Sequence, residues 1–329
     1  RFCNYRCSYC WPYARSDRKD HRPTELCLLT IDEIKRQARD NGFNSFHFSL
    51  SGGEPTFHPG YLDILKHLAD DVENTNYTSV HMTSNCSRPM KWFETYVEYA
   101  KLFHRASITA SLHTEHVNNK EKMQDFADKL IFCQEHDVQV TINQVMVPEW
   151  FERDWENALF FHEQGINVTL KPQSDPTASR VVDGYKEEDL KKLYNGMPQR
   201  AYTESKRKWA DRPKPSFQIP QGVNGKLDTS IPWHMQVELE DSKGDKYYMD
   251  QAERFNAFNF NNFEGWQCNA GYSGIIIREP DGSIKRSYSC HDAPLGNIET
   301  GFELFKEPKT CITKSCVSSA DSKIPKNKY

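Results

Sequence analysis

The sequence has no long hydrophobic run and no large excess of one charge. No apolar stretch approaches the ~20 residues that cross a bilayer, and no basic segment followed by an apolar one begins the chain. Apolar residues make up 37% of the 329 residues, and the mean hydropathy is -0.79. The net charge of -4 comes from mixed acidic and basic residues, so composition does not support a nucleic-acid surface. We therefore expect a cytoplasmic protein with no membrane segment.

Cysteine, in contrast, is abundant, with ten residues in the chain. Because the cytosol keeps thiols reduced, clustered cysteines there indicate metal binding or catalysis in preference to disulfides. One group lies near the start and a second in the last quarter: Cys3, Cys7 and Cys10, then Cys268, Cys290, Cys311 and Cys316. Three cysteines stand alone: Cys27, Cys86 and Cys133.

Strand-like and helix-like stretches alternate between residues 30 and 172, the pattern of a parallel sheet with crossover helices. The predicted strands are 46–51, 80–85, 107–113, 138–147 and 167–173. The predicted helices between them are 61–72, 90–103, 120–135 and 150–164. An earlier helix is predicted to begin at Thr30, with Glu33 completing a capping box, and to end at Gly42. The predicted fold class is α/β, a partial (β/α)6 barrel of parallel strands whose first strand is largely missing upstream.

The alternation ends after Pro172. Residues 174–232 are polar and contain one predicted helix near 186–195. Two hairpins are predicted at 235–251 and 273–290, with turns at Lys243-Gly244 and Asp281-Gly282. The predicted domains are a partial barrel (1–173), a polar insert with a hairpin (174–265) and a small C-terminal domain of a hairpin plus helix (266–329).

The opening cysteines can fold around one metal centre. Structural zinc takes four ligands, and no fourth ligand lies nearby, whereas a 4Fe–4S cluster held by three cysteines leaves one iron open. The run Cys3-x-x-x-Cys7-x-Tyr9-Cys10 resembles the cluster loop of radical S-adenosylmethionine (SAM) enzymes. This resemblance implies that the open iron binds SAM, with Tyr9 as a candidate SAM contact. An electron from the cluster, supplied by a donor such as flavodoxin or ferredoxin, then cleaves SAM to a 5′-deoxyadenosyl radical.

A second segment, "SGGEP" at 51–55, is similar to the Gly-Gly-Glu element that the same family carries after its first complete strand. Gly52 and Gly53 allow a backbone edge to approach a ligand closely, and Glu54 offers an acceptor for an ammonium group. The order of the two motifs, about one strand-helix unit apart, favours the radical SAM family. A plain turn with a solvated glutamate is the alternative for this segment alone.

Further candidate SAM contacts follow from strand ends, because ligands of parallel barrels bind at the carboxyl ends of the strands. These candidates are Ser84, Asn85, Ser111, His113 and Met146. The resemblance assigns Ser111 to SAM, with Lys120 or Lys122 as a basic partner, and His113 stands where relatives often carry aspartate. An ordinary strand-end role is the alternative for each of them.

Cys86 directly follows the strand that ends at Asn85. Some relatives return a hydrogen atom from a cysteine to a substrate radical, which makes Cys86 a candidate catalytic donor. A packing role is the alternative, since free cysteine is among the most buried residue types.

The closing cysteines resemble the twitch or SPASM extension of radical SAM enzymes, which holds an auxiliary iron–sulfur cluster. Four cysteines fit the shorter twitch form and imply a second 4Fe–4S cluster that the protein ligates completely. Four sulfur ligands also make a good zinc site, so structural zinc stays an alternative. A redox role for this cluster, as acceptor of an electron from a substrate radical, is a hypothesis.

The sequence thus predicts a radical SAM oxidoreductase or maturase that abstracts hydrogen from a peptide or a small polar substrate. The long polar insert favours a peptide, because it is suited to line an open groove. A radical SAM epimerase or dehydrogenase of a small metabolite is an alternative. A zinc-binding interaction module without catalysis is the alternative of another class.

Overall fold

The structure is a computed structural model that describes residues 2–10, 21–174, 181–197, 236–240, 246–250, 262–278, 281–314, 316, 321 and 324–327. The chain divides into two compact units. Unit 1 contains Arg1–Leu28 and Ser45–Arg212, and unit 2 contains Leu29–Asn44 and Pro213–Tyr329. Most of the predicted polar insert, including the turn at Lys243-Gly244, lies outside the described residues.

Unit 1 is built around a five-stranded parallel sheet in the order β1-β2-β3-β4-β5. Its strands are β1 Ser45–Leu50, β2 Tyr77–Ser84, β3 Arg105–Leu112, β4 Val138–Met146 and β5 Asn167–Pro172. The helices between and after them are α2 Tyr61–Ala69, α3 Met90–Ala100, α4 Lys120–Glu135, α5 Phe151–Glu163 and α6 Glu187–Asn195. The strand and helix alternation confirms the predicted α/β class and gives an open, partial-barrel sheet.

The two faces of this sheet differ in polarity. In β3, Ala106, Ile108, Ala110 and Leu112 are buried, while the alternating polar residues remain partly accessible. Successive side chains of a strand point to opposite faces, so one face packs apolar residues and the other carries polar ones. The polar face is internally bonded: Ser107 Oγ lies 2.8 Å from Nδ1 of His81 on the neighbouring strand. The polar side chains of this face are partly accessible as well, so they can bind a polar ligand.

The first helix begins earlier than the sequence predicts. α1 spans Thr24–Asp40, and Thr30 is a buried residue inside it. Glu33 forms an ion pair with Arg36 one turn later, at 2.7 Å between Oε1 and Nη2. The predicted capping box is therefore wrong. The helix begins directly after Pro23, a residue that favours helix starts, so Thr30 lies inside the helix. Gly42 follows the helix with φ +84, as the prediction of its end requires.

Unit 2 contains short antiparallel strands. They are β6 Gln236–Glu240, β7 Lys246–Asp250, β8 Gln267–Cys268, β9 Ile276–Ile277, β10 Ser283–Lys285, β11 Gly296–Asn297, β12 Gly301–Phe302, β13 Lys309–Thr310 and β14 Lys326–Asn327. β6 pairs with β7, and the remaining strands form sheets in the orders β12-β11-β10-β9 and β13-β8-β14. Ile284 lies opposite Ile277, and Gly282 has φ +70, which confirms the second predicted hairpin. The predicted first hairpin is confirmed by its paired strands.

Residues 29–44 bind other parts of unit 2 through side chains of α1 and of the residue that follows it. Gln37 Nε2 donates to the backbone oxygen of Phe302 at 3.0 Å, and its Oε1 accepts from the backbone N–H of Leu304 at 2.7 Å. Asn41 Nδ2 donates to the backbone oxygen of Phe305 at 2.8 Å.

Within the part of the chain that the structure describes, no helix is long and apolar enough to cross a membrane.

Candidate functional site

The loop of residues 2–10 in unit 1 carries the three opening cysteines. Cys7 is buried, Cys3 is half-buried and Cys10 is exposed. The backbone N–H of Cys10 donates to the oxygen of Cys7 at 3.2 Å, which turns the loop between these two cysteines. The backbone N–H of Glu54 donates to the oxygen of Phe2 at 2.7 Å and so joins this loop to the Gly-Gly-Glu segment. The two motifs singled out in the sequence are therefore adjacent.

Burial keeps two of these thiols protonated in the metal-free protein. It raises the pKa of Cys7 to about 12, and the neighbouring carboxylate of Glu115 and the other two cysteines add to the effect. Burial also raises the pKa of Cys3, with a smaller contribution from Glu54. Thiolates, not thiols, bind metals, so filling this site releases protons. Three sulfurs on one short loop fit a 4Fe–4S cluster that keeps one iron open to a ligand.

A second loop, which follows β3, holds the cysteine loop in place. The backbone N–H of Ser8 donates to Glu115 Oε2 at 2.9 Å, and the Ser8 hydroxyl donates to the same carboxylate. The ring of His116 stacks on Tyr5 with 3.9 Å between centroids and 8° between planes. The ligand atoms of Cys7, Glu115 and His116 lie within 4.8 Å of one another. Glu115 and His116 would thus adjoin any metal bound there.

Glu115 and His116 are not among the site residues predicted from the sequence. Their position two and three residues after His113, just beyond the end of β3, was the available signal, because ligand sites of parallel sheets lie at these ends. The predicted basic residue Lys122 supports this second loop. Its Nζ donates to the backbone oxygen of His116 at 3.1 Å and to Asn118 Oδ1 at 3.2 Å.

Tyr9 and His113, both predicted SAM contacts, bond to each other. Tyr9 Oη lies 2.8 Å from His113 Nδ1, and their rings are stacked with centroids 5.9 Å apart. Burial is the main cause that lowers the pKa of His113 to about 4, helped by the neighbouring His116. The imidazole is therefore neutral at pH 7 and can accept the proton of the Tyr9 hydroxyl.

Glu54 is almost completely buried and its carboxylate is fully engaged. Oε1 accepts from the Thr56 hydroxyl at 2.6 Å, the Thr56 N–H at 3.1 Å and the Ser84 hydroxyl at 2.8 Å. Oε2 accepts from the backbone N–H of Asn85 at 2.6 Å. A carboxylate offers about four lone-pair positions, and Glu54 already accepts four hydrogen bonds. The structure thus shows Glu54 tying the end of β2 to the turn Pro55–Phe57, while Gly52 and Gly53 remain exposed.

The remaining predicted contacts are distributed over both sheet faces. Asn85 Nδ2 donates to Asn4 Oδ1 of the cysteine loop at 2.9 Å. Ser111 lies on the polar face of β3 and is partly accessible. Met146, in contrast, is fully buried and alternates with the polar-face residues of β4. The structure therefore brings Tyr9, His113 and Asn85 to the cysteine loop and places Met146 in the core.

Cys86 is buried next to the sheet's helical layer. Its side chain is 2% exposed, and its backbone has φ +51, an uncommon value for a residue other than glycine. Burial raises the pKa of its thiol well above the ordinary value, and Glu54 and Cys133 of α4 contribute. This environment matches the packing alternative for Cys86, whereas a hydrogen-atom donor requires access to substrate.

Unit 2 gathers the four closing cysteines in one buried cluster. Cys268, Cys290, Cys311 and Cys316 are each at most 8% exposed and pack with Phe263, Trp266 and Ala270. A hydrogen bond between the thiols of Cys268 and Cys311 lowers the pKa of Cys311 and raises that of Cys268. Arg286 is also buried here. Its Nη1 pairs with Asp292 at 2.8 Å and its Nε donates to the backbone oxygen of Ala270 at 3.0 Å, while its Nη2 has no hydrogen-bond partner among the described residues. A buried set of four sulfurs beside an incompletely satisfied cation suits an anionic metal centre.

Residues 1–162 match the family model described as the Radical SAM superfamily. These residues are similar to the radical SAM domain. They include the cysteine loop, the Gly-Gly-Glu segment and the first four strands of the sheet. The family is enzymatic, and its members use SAM and a 4Fe–4S cluster to generate a radical.

Two solved structures are similar to the chain, and both are of anSMEcpe with bound AdoMet. The native form has a TM-score of 0.48 and 16% sequence identity, and the match covers 91% of this chain and 76% of that one. The hexahistidine-tagged form has a TM-score of 0.42 and 18% identity, and the match covers 58% of this chain and 54% of that one. The chain thus spans about half of the tagged protein. No curated protein matches the chain.

Proposed function

We propose that the chain is a radical SAM enzyme that cleaves SAM reductively and abstracts a hydrogen atom from a peptide or a small polar substrate. The observation that carries this proposal is the position of Cys3, Cys7 and Cys10 on one loop of the radical SAM domain, beside the Gly-Gly-Glu segment. A 4Fe–4S cluster held by these three thiolates would supply the electron for SAM cleavage. An external donor such as flavodoxin or ferredoxin would supply that electron to the cluster.

The chain's own residues have three tasks at this site. Glu115 fixes the backbone between Cys7 and Cys10 through Ser8, which would hold the cysteine loop in shape for a cluster. Tyr9 and His113 form a neutral, hydrogen-bonded pair of rings next to the last cysteine, a surface on which a flat group of SAM can pack. The exposed backbone of Gly52 and Gly53 leaves room for the polar end of SAM.

The substrate is proposed to be polar because of the accessible face of the sheet. Ser107, Thr109 and Ser111 follow one another along that face of β3, and Thr141 and Asn143 lie on the same face of β4. These hydroxyl and amide groups stabilise a ligand that carries its own hydrogen-bonding groups.

The four closing cysteines are proposed to hold an auxiliary 4Fe–4S cluster. A zinc ion with bonds of about 2.3 Å to four thiolates would require sulfurs about 3.8 Å apart. Within the described residues, no three of these four sulfurs lie within 4.8 Å of one another. The ligands of a 4Fe–4S cluster bind four different irons and can lie further apart. Such a cluster can accept one electron when a substrate radical loses a proton, which makes the net reaction a two-electron oxidation.

Anaerobic reconstitution tests both sites. The variant in which Cys3, Cys7 and Cys10 are replaced by alanine should retain iron and sulfide in unit 2 and should not cleave SAM. Zinc in place of iron in this variant would contradict the auxiliary cluster but leave the proposed SAM chemistry intact. Cleavage of SAM by this variant would contradict the assignment of the opening cysteines.

A further inference from the structure

Lys326 of unit 2 is a buried lysine beside the four-cysteine cluster. It lies in β14, directly opposite Cys268 in the antiparallel pairing of β14 with β8. Directly opposed residues of antiparallel strands place their side chains on the same face of the sheet. The side chain of Lys326 is 1% exposed.

The ammonium group of Lys326 has hydrogen-bonding partners but no carboxylate partner. Nζ donates to the backbone oxygens of Asp321 at 2.6 Å and Ile324 at 2.9 Å, and it lies 4.7 Å from the centroid of the Phe263 ring. Among the residues that the structure describes, no carboxylate oxygen forms an ion pair with this nitrogen within 4.0 Å. Burying an unpaired charge costs several kcal/mol, so a buried lysine indicates a nearby negative charge.

The cysteines can provide that negative charge. Cys268 lies directly opposite Lys326, and it packs with Cys290, Cys311 and Cys316 in one buried cluster. A 4Fe–4S core with four thiolates has a net charge of about -2, which becomes about -3 after uptake of one electron. A nearby positive charge stabilises the second state more than the first.

We propose that Lys326 is the counter-charge of the four-cysteine centre and raises the reduction potential of the auxiliary cluster. This inference rests on the proposed function, because it requires a cluster at that site. Lys326 would act on the cluster through its electric field, since it ligates no metal. It makes the cluster a better acceptor of the single electron that a substrate radical releases.

Lys309 provides a matched control. It lies opposite Cys268 on the other side of β8, so it has the same register relation to this cysteine. Its side chain is 45% exposed and pairs with Glu307 at 2.9 Å. Solvent and a partner carboxylate both weaken the field of an exposed lysine. The two lysines therefore differ in burial while their strand positions correspond.

The test is an anaerobic redox titration with dithionite, followed by electron paramagnetic resonance. It uses the full chain with Cys3, Cys7 and Cys10 replaced by alanine, so that the auxiliary cluster alone is observed. Lys326→Met should lower the equilibrium constant for reduction of the cluster at least about tenfold. For one electron, this is a shift of about 59 mV to lower reduction potential. Lys309→Met and Lys326→Arg should each stay within about a third of that shift.

Each outcome has a defined meaning. Absence of iron from the background variant would contradict the auxiliary cluster itself. A cluster with the same potential in Lys326→Met would overturn the role of Lys326 and leave the cluster in place. If Lys326→Met fails to hold a cluster, the Lys326→Arg variant decides. A cluster of unchanged potential in Lys326→Arg would support the role of the positive charge. Loss of the cluster in Lys326→Arg as well would overturn the proposal and show that Lys326 is purely structural.

Discussion

The carboxylate of Glu54 shows how much one buried residue organises around the candidate SAM site. Its four donors come from the turn after β1 and from the end of β2. We predict that Glu54→Ala lowers the free energy of unfolding by at least about 3 kcal/mol, because the buried N–H groups of Thr56 and Asn85 lose their acceptor. Urea unfolding of the metal-free protein measures this loss.

Glu73 is the control for that experiment, because it is exposed and lies in the short 3-10 helix Val72–Asn74 of the same unit. Glu73→Ala should change the free energy of unfolding by less than about 0.5 kcal/mol. Equal effects of the two substitutions would show that the buried carboxylate does not support the turn and strand end.

The burial of His113 makes the free energy of unfolding depend on pH and fixes the sign of that dependence. The pKa of the folded state is about 4, below the ordinary 6.5, so the unfolded chain binds the proton more tightly between these values. The contribution of His113 to the free energy of unfolding is complete above pH 6.5. As the pH falls towards 4, the free energy of unfolding decreases by about 3 kcal/mol. Comparing metal-free wild type with His113→Gln across this range isolates the contribution. Parallel pH profiles for the two proteins would refute it.

Among the structural elements, the loop after β3 determines the shape of the cysteine loop. We predict that Glu115→Ala weakens retention of iron at Cys3, Cys7 and Cys10 about tenfold, because Ser8 loses its acceptor. Glu115→Gln should retain most of the affinity, since its amide oxygen can still accept. Chelator titration in a background without the four closing cysteines measures this retention.

Glu121 on the first turn of α4 is the matched control, because it is exposed in the same stretch of chain. Glu121→Ala should retain iron as wild type does. Equal retention by Glu115→Ala and wild type would mean that the cysteine loop keeps its shape without this carboxylate.

The sequence predicted elements better than it predicted contacts. Strand alternation located all five strands of unit 1 to within a few residues, since a buried strand face leaves a period of two in the sequence. The start of α1 was misplaced because Thr30 and Glu33 have the spacing of a capping box, whereas the helix packs Thr30 inside its length. The position of Glu115 just beyond the end of β3 was a signal, but the contacts of Glu115 and Lys326 could not be found this way. Their partners, Ser8 and Cys268, lie far away in the chain, and no local pattern records such contacts.

At the scale of the whole molecule, the two candidate metal centres lie in different units, with the opening cysteines in unit 1 and the closing cysteines in unit 2. We predict about eight irons per reconstituted chain, with about four left when either group of cysteines is replaced by alanine. Iron and sulfide analysis of the three proteins checks this. A single replacement that removes all iron would contradict independent centres.

The central claim is that the opening cysteines hold a cluster that cleaves SAM. The most direct measurement is formation of 5′-deoxyadenosine by the reconstituted full chain, given SAM and dithionite under anaerobic conditions. We predict 5′-deoxyadenosine from the wild type and none from the variant with alanine at Cys3, Cys7 and Cys10. Wild-type protein that contains a full complement of iron and yields no 5′-deoxyadenosine would contradict this claim.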